Sequence, residues 1–193
     1  KVLIFLLMRV ELEGFDIPFN ASRIHGISTK MANEEGRNLQ EVLEEFKEVL
    51  KKAEVVAGHN IDFDYKIVGA EFFRKEIENS LEKIPSADTM ELGTNYCQLG
   101  GGRNGRFKSP KLTELYEKLY DEKFDEAHNA AADVNATAQV FFEMMRIGII
   151  PAEKLKISEA ELKDFIAQHS TPIQPFGIII RRQVVGSKKK KKV

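Results

Sequence analysis

Tryptophan is absent, and cysteine occurs once, as Cys97. A single thiol excludes an intrachain disulfide and any zinc site built from several cysteines, and it fits a reducing, cytoplasmic setting. No apolar stretch approaches the roughly 20 residues that cross a bilayer. The longest, residues 2–8, is followed at once by Arg9 and Glu11 instead of a small-residue cleavage site, so it reads as a buried strand with no role at a membrane. An excess of one charge is lacking too, since 29 basic residues against 30 acidic ones leave a formal net charge of -1. What remains is 42% apolar residues, including 13 Phe, in 193 residues: enough for one globular core with a modest appendage, and too little for a multidomain machine.

The near-neutral total hides an uneven distribution. Residues 165–193 carry seven basic side chains and no acid, which leaves 22 basic against 30 acidic, or -8, for residues 1–164. The five consecutive lysines at 188–192 repel one another and have no apolar partner, so they read as a disordered, solvated terminus, with a phosphate-binding arm as the functional alternative. Between Leu92 and Thr113 lie Arg103, Arg106, Lys108 and Lys111 with no acid after Leu92, threaded through Gly100, Gly101, Gly102 and Gly105. This reads as a flexible cationic loop able to lie along a polyanion, or more plainly as a surface loop between two helices.

Hydrophobic spacing places these features on elements. Residues 2–10 read as a strand, and residues 15–22, with Pro18 inside, as an extended loop. From Asn38 the residues Leu39, Val42, Leu43, Phe46, Val49 and Leu50 recur at three- and four-residue intervals, which predicts a helix with Asn38 and Glu41 as its capping box. Residues 55–58 form a short buried strand that delivers His59 and Asn60 to its end. A helix over about 63–77 follows, with Ile67, Val68, Phe72 and Phe73 toward its inner side. Residues 86–90 are a connector or short strand leading into a helix that ends near Tyr96. Pro110 marks the next helix, with Leu112, Leu115 and Leu119 as its buried stripe. Residues 126–145 form a long helix whose core face is Val134, Ala138, Phe141 and Met145; Ser158 with Glu161 caps a last short helix. Strands mixed with helices on short connections make an α/β layer fold. The expected division is a domain over 1–150, a helical extension over 151–180 and a basic tail over 181–193.

Two clusters could carry chemistry, each with an acid near the entry to a helix: His59-Asn60-Ile61-Asp62-Phe63-Asp64, and His128-Asn129-Ala130-Ala131-Ala132-Asp133. Helical residues five apart lie about 140° round the axis and about 7.5 Å along it, so His128 and Asp133 do not chelate one ion together but can flank a shared pocket. A carboxylate for a hard divalent cation beside a neutral imidazole that takes a proton from water suits hydrolytic phosphoryl transfer. Taken singly, Asp64 reads as a first-turn acid favoured by the helix dipole, and Asp133 as a solvated helix residue.

Jointly, the clusters resemble a known family. Residues 14–148 are similar to the DEDDh 3′–5′ exonucleases, the group of the DNA polymerase III epsilon proofreading subunit, which share an RNase H-like fold. The matching stretches are Ile17-Pro18 with Ala21-Ser22-Arg23-Ile24-His25-Gly26-Ile27, Gly58-His59-Asn60 with Phe63-Asp64, the Asp88-Thr89 pair, Lys111-Leu112, and His128 through Asp133. The resemblance implies a mixed sheet flanked by helices. It implies Asp64 and Asp133 as ligands in a two-metal site for Mg2+ or Mn2+, with His128 as the general base. His25, Asn60 and Phe63 would border the bound strand, and Arg103, Arg106 and Lys108 are further candidates for nucleic-acid contact. The implied substrate is a single-stranded DNA or RNA 3′ end, and a DNA polymerase is a candidate partner.

The family's first motif, Asp-Xaa-Glu on the opening strand, has no counterpart before Gly14. Glu11 and Glu13 alternate correctly for one strand face but stand where the family has a later strand, so they read as ordinary exposed strand acids. Since the chain opens with Lys1, already inside a strand, the expectation is that a piece carrying one or two strands is missing. Two ions about 3.5 to 4 Å apart need several carboxylates, and Asp64 with Asp133 supply two, so weak or single-metal binding and little cleavage are expected. The alternative is a catalytically inactive nucleic-acid-binding module of the same fold.

Overall fold

The computed structural model describes residues 10–123 and 130–173. Two short helices come first, α1 (Phe19–His25) and α2 (Thr29–Glu35), then α3 (Leu39–Leu50). Residues 15–22 were expected to be extended throughout, but Pro18 starts α1 instead of interrupting a loop. Its fixed φ of -57° suits a helix entry, and its carbonyl accepts the amide of Ser22 at 3.0 Å. Gly26, at φ 74°, stops the helix in the left-handed conformation. The strand expected over residues 2–10 lies, except for Val10, outside the described residues; Val10 makes an isolated parallel bridge to Arg37. Gly36 permits this approach, because a Cβ there would lie 2.4 Å from the amide nitrogen of Glu11. As predicted, Asn38 caps α3, its side-chain oxygen accepting from Gln40 and Glu41.

Next come β1 (Val56–Gly58), α4 (Ile61–Arg74), β2 (Ser86–Asp88) and α5 (Thr89–Cys97). β1 and β2 pair in parallel, with Gly58 opposite Asp88, and the connection through α4 is the crossover that parallel strands require. Beyond the glycine-rich loop lie α6 (Leu112–Tyr120), α7 (Ala130–Arg146), α8 (Ala152–Leu155) and α9 (Glu159–Gln168). Ser158 and Glu161 close a reciprocal capping box at α9, as their spacing predicts.

The strand alternation sends side chains to two cores, one on each face of the sheet. Val56 joins Leu43, Leu50, Phe72, Ile77 and Leu81 between α3 and α4, where Phe46 and Phe72 stack at 6.2 Å. Ala57 and Ala87 face the other way, into a cluster of Leu115, Val140, Phe141, Met144, Ile150 and Leu162. The architecture is therefore α/β, with helices on both faces of a parallel pair. On α7, Ala138 and Phe141 are buried as expected, and Ala136, Val140 and Met144 are buried beside them, so this helix is enclosed on more than one side.

The inner face of α4 differs from expectation. Phe72 is fully buried, whereas Ile67 is 54% and Phe73 87% exposed. Adjacent helical residues point about 100° apart, so when Phe72 is seated against Phe46 its neighbour must face away.

Candidate active site

The carboxyl ends of β1 and β2 lie side by side, and Asp88 at that edge organises both helices that leave it. Its Oδ1 accepts the amide of Asn60 at 3.0 Å and its Oδ2 that of Ile61 at 3.1 Å, which satisfies the start of α4. The same Oδ1 accepts from Met90 at 2.9 Å, at the start of α5. One carboxylate thus caps two helix N-termini, where backbone donors and the helix dipoles favour a negative charge. Thr89, fully buried, places its hydroxyl 3.0 Å from both the carbonyl of Gly58 and Nδ1 of His59, and donates to Nδ1 when the ring is neutral. The Nε2–H of His59 donates to the carbonyl of Pro110 at 3.1 Å. Burial lowers the imidazole pKa from its ordinary value, against the raising influence of Pro110 and Asp88, so the neutral ring is favoured. His59 therefore ties the strand edge to the foot of the glycine-rich loop.

This clamp sets the candidate catalytic residues. Asn60 turns the chain in the left-handed conformation, φ 66° and ψ 47°, which asparagine tolerates well. Phe63, 61% exposed, and Asp64 follow in the first turn of α4. Asp64 is exposed, and the desolvation of its carboxyl by neighbouring atoms, with a smaller contribution from the charge of Asp88, raises its pKa above the usual carboxylate range. By contrast Asp62, two residues earlier, is held by Lys66 at 2.6 Å. Asp133 lies in the first turn of α7, the helix that packs against β1. His128 lies outside the described residues.

The remaining candidates are placed as follows. His25 ends α1, where its Nδ1 accepts the amide of Ile27 at 3.1 Å. Arg103 and Arg106 are exposed on the glycine-rich loop, while Lys108 pairs with Glu114 at 2.8 Å. Glu13 is not a strand acid: it pairs with Arg74 and with Lys75 at the far end of α4, and these two cations hold its carboxyl below the usual range. Ten residues of helix separate Asp64 from Arg74, about 15 Å along the axis, so Glu13 is anchored away from the strand edge. The double cap by Asp88 and the His59 bridge were not anticipated. An Asp directly before a helical stretch is a capping signal, so half of the first was available in the sequence.

Asp64 and Asp133 offer the hard oxygen donors that suit Mg2+ or Mn2+. Among the described residues no three His, Cys, Asp or Glu side chains gather closely enough to form a metal cage. Mg2+ commonly keeps several waters and takes one or two carboxylates plus substrate phosphates, a role that the chemistry of either carboxylate suits.

Residues 8–141 match the exonuclease family of RNase T type, a span that includes β1, β2, both acidic clusters and the glycine-rich loop. The chain belongs to this exonuclease family, whose members are nucleases. It is 33% identical over 104 residues to a DNA polymerase III of PolC type from Latilactobacillus sakei, a match covering 54% of this chain and 6% of that protein. It is 29% identical over 133 residues to a DNA polymerase III of PolC type from Mycoplasmopsis pulmonis, covering 64% and 8%. The chain thus corresponds to under a tenth of either relative. Among the described residues no helix is long and apolar enough to cross a membrane.

Proposed function

We propose that the chain is a DEDDh-type 3′–5′ exonuclease domain that removes nucleotides from a single-stranded DNA or RNA end with Mg2+ or Mn2+. The observation that carries this reading is the placement of Asp64 and Asp133 in the first turns of two helices that both meet β1, one leaving its carboxyl end and one packed against it. Asp64 and Asp133 would hold the cation, which when bound offsets the negative charge of the scissile phosphate. His128, five positions before Asp133, takes the proton of the attacking water. As the water oxygen bonds to the terminal phosphorus, the bond to the neighbouring 3′ oxygen breaks, and that oxygen takes up a proton. The polymerase named in both relatives supports a DNA substrate and association with a polymerase.

The test is release of mononucleotides from labelled single-stranded DNA with Mn2+ present, compared with a His128→Ala chain. Loss of release in the variant supports the assigned base, and equal release rejects it. A second reading, a binding module without cleavage, is favoured by the exposed Arg103 and Arg106 on the glycine-rich loop. Titration calorimetry separates the two: no heat with Mn2+, together with salt-sensitive binding of single-stranded DNA, selects the second.

A further inference from the structure

The glycine-rich segment, expected as a flexible cationic loop or a surface loop between two helices, connects α5 to α6 as a hydrogen-bonded loop. Leu99 and Lys108 form an antiparallel bridge at its base, with the Lys108 amide donating to the Leu99 carbonyl at 2.9 Å. Arg103–Gly105 makes a tight turn at its tip, closed by the Arg106 amide on the Arg103 carbonyl at 3.1 Å. Gly102 is required for this closure: a Cβ there would lie 2.1 Å from the Arg106 carbonyl oxygen. The loop is also bolted down at one end, because Pro110 is buried and its carbonyl accepts from His59.

What this scaffold displays is selective. Lys108 is occupied by Glu114, and the amide of Lys111 is held by the Glu114 carboxylate at 2.7 Å. Arg103 and Arg106 are exposed, and no acidic side chain among the described residues pairs with either; Phe107, next in the chain to Arg106, is 44% exposed. A flat apolar face on the same loop as two planar cations is complementary to an unpaired base and its neighbouring phosphates. An acidic peptide would use the two arginines but leave the ring without a matching surface.

We propose that residues 99–108 are a metal-independent anchor for single-stranded nucleic acid, in which Phe107 stacks on one base while Arg103 and Arg106 hold the flanking phosphates. The anchor rests on the nucleic-acid substrate of the preceding reading but not on cleavage. Its foot at His59 places it beside the strand edge from which Asp64 departs, so a bound strand is held while its end enters the site. Being preformed, the loop gives up little conformational freedom on binding.

The test is fluorescence anisotropy of a labelled 15-nucleotide oligo(dT) with the full chain in EDTA, over a series of salt concentrations. Phe107→Ala is expected to weaken binding roughly 5- to 150-fold, the range for loss of one stacked base, and Phe107→Tyr to restore it. Replacing Arg103 and Arg106 together by Ala is expected to reduce the salt slope by about 1.4, as for two phosphates on a single strand. The lysines at 188–192 are common to every chain compared, so the differences belong to the loop. Unchanged affinity in Phe107→Ala, or an unchanged slope in the double variant, overturns the anchor. So does equal competition by poly-glutamate at matched charge, which would mark a plain acidic-surface contact. If loop-dependent binding is found but no nucleotide is released with Mn2+, the nuclease reading fails and the anchor stands. If release is found and the loop variants bind normally, the reverse holds.

Discussion

The carboxylate of Asp88 accepts the backbone amide of Asn60 at 3.0 Å, across from one helix start to another. Because the same group also accepts from Ile61, Met90 and, at 3.5 Å, Glu91, its removal uncaps α4 and α5 together. One cap is worth about 0.5 to 2 kcal/mol, so Asp88→Ala should cost about 1 to 4 kcal/mol in chemical denaturation. Asp88→Asn keeps one acceptor oxygen and should cost less. A loss below about 0.5 kcal/mol in Asp88→Ala would show that the two helices do not share the cap.

Phe72 and Phe73 make an internal control for the seating of α4. Phe72 is fully buried against Phe46, so Phe72→Ala should destabilise by about 3 to 5 kcal/mol. Phe73 is 87% exposed, and Phe73→Ala should fall within about 0.5 kcal/mol of the parent. Urea unfolding of the two variants checks this. Equal losses would mean that the helix is rotated from its described seating.

The contrast between these neighbours shows what the sequence could reveal. The periodicity from Leu39 to Leu50, the Asn38 cap, the Ser158 and Glu161 box and the strand before His59 were all legible, because each depends on residues within a few positions of one another. The inner face of α4 was not. Ile67, Val68, Phe72 and Phe73 are all apolar, and only packing against α3 selects Val68 and Phe72. Similarly, the places of Asp64 and Asp133 in the first turns of α4 and α7 were legible, whereas the bridge from His59 to Pro110 spans 51 positions and exists only once β1, β2 and the glycine-rich loop are assembled. The closed form of that loop was hidden for a related reason. Glycine reads as freedom in a sequence, but Gly102 is there to let two backbone segments touch.

His59 predicts a pH dependence of stability. Burial lowers its pKa in the fold, so below the unfolded value of about 6.5 the unfolded chain binds a proton that the folded chain resists. The contribution is present in full above about pH 6.5 and declines as the pH falls from there toward the lower folded value. In a His59→Gln chain this part of the decline should vanish, which shows as a smaller loss of unfolding free energy between pH 7.5 and pH 5 than in the parent. Parallel curves for the two chains would remove His59 as the source.

Asp62 and Asp64 share a helix turn but should respond in opposite ways to neutralisation. Asp62 is paired with Lys66 on an exposed surface, so Asp62→Asn should leave nucleotide release unchanged and alter stability by less than about 1 kcal/mol. Asp64 carries a carboxyl whose charged form is disfavoured, first by desolvation and then by Asp88, with no described side-chain cation to offset either. A charge held against the preference of the fold is available to a cation, and its loss relieves the fold. Asp64→Asn should therefore reduce Mn2+-dependent release by about 100-fold or more, the order expected when a group that stabilises the transition state is removed. The same variant should unfold at equal or higher denaturant than the parent at pH 7. Mutant chains compared by nucleotide release and by urea unfolding decide the matter: an Asp64→Asn chain that keeps its activity while losing stability would make this carboxylate a structural group and not a metal ligand.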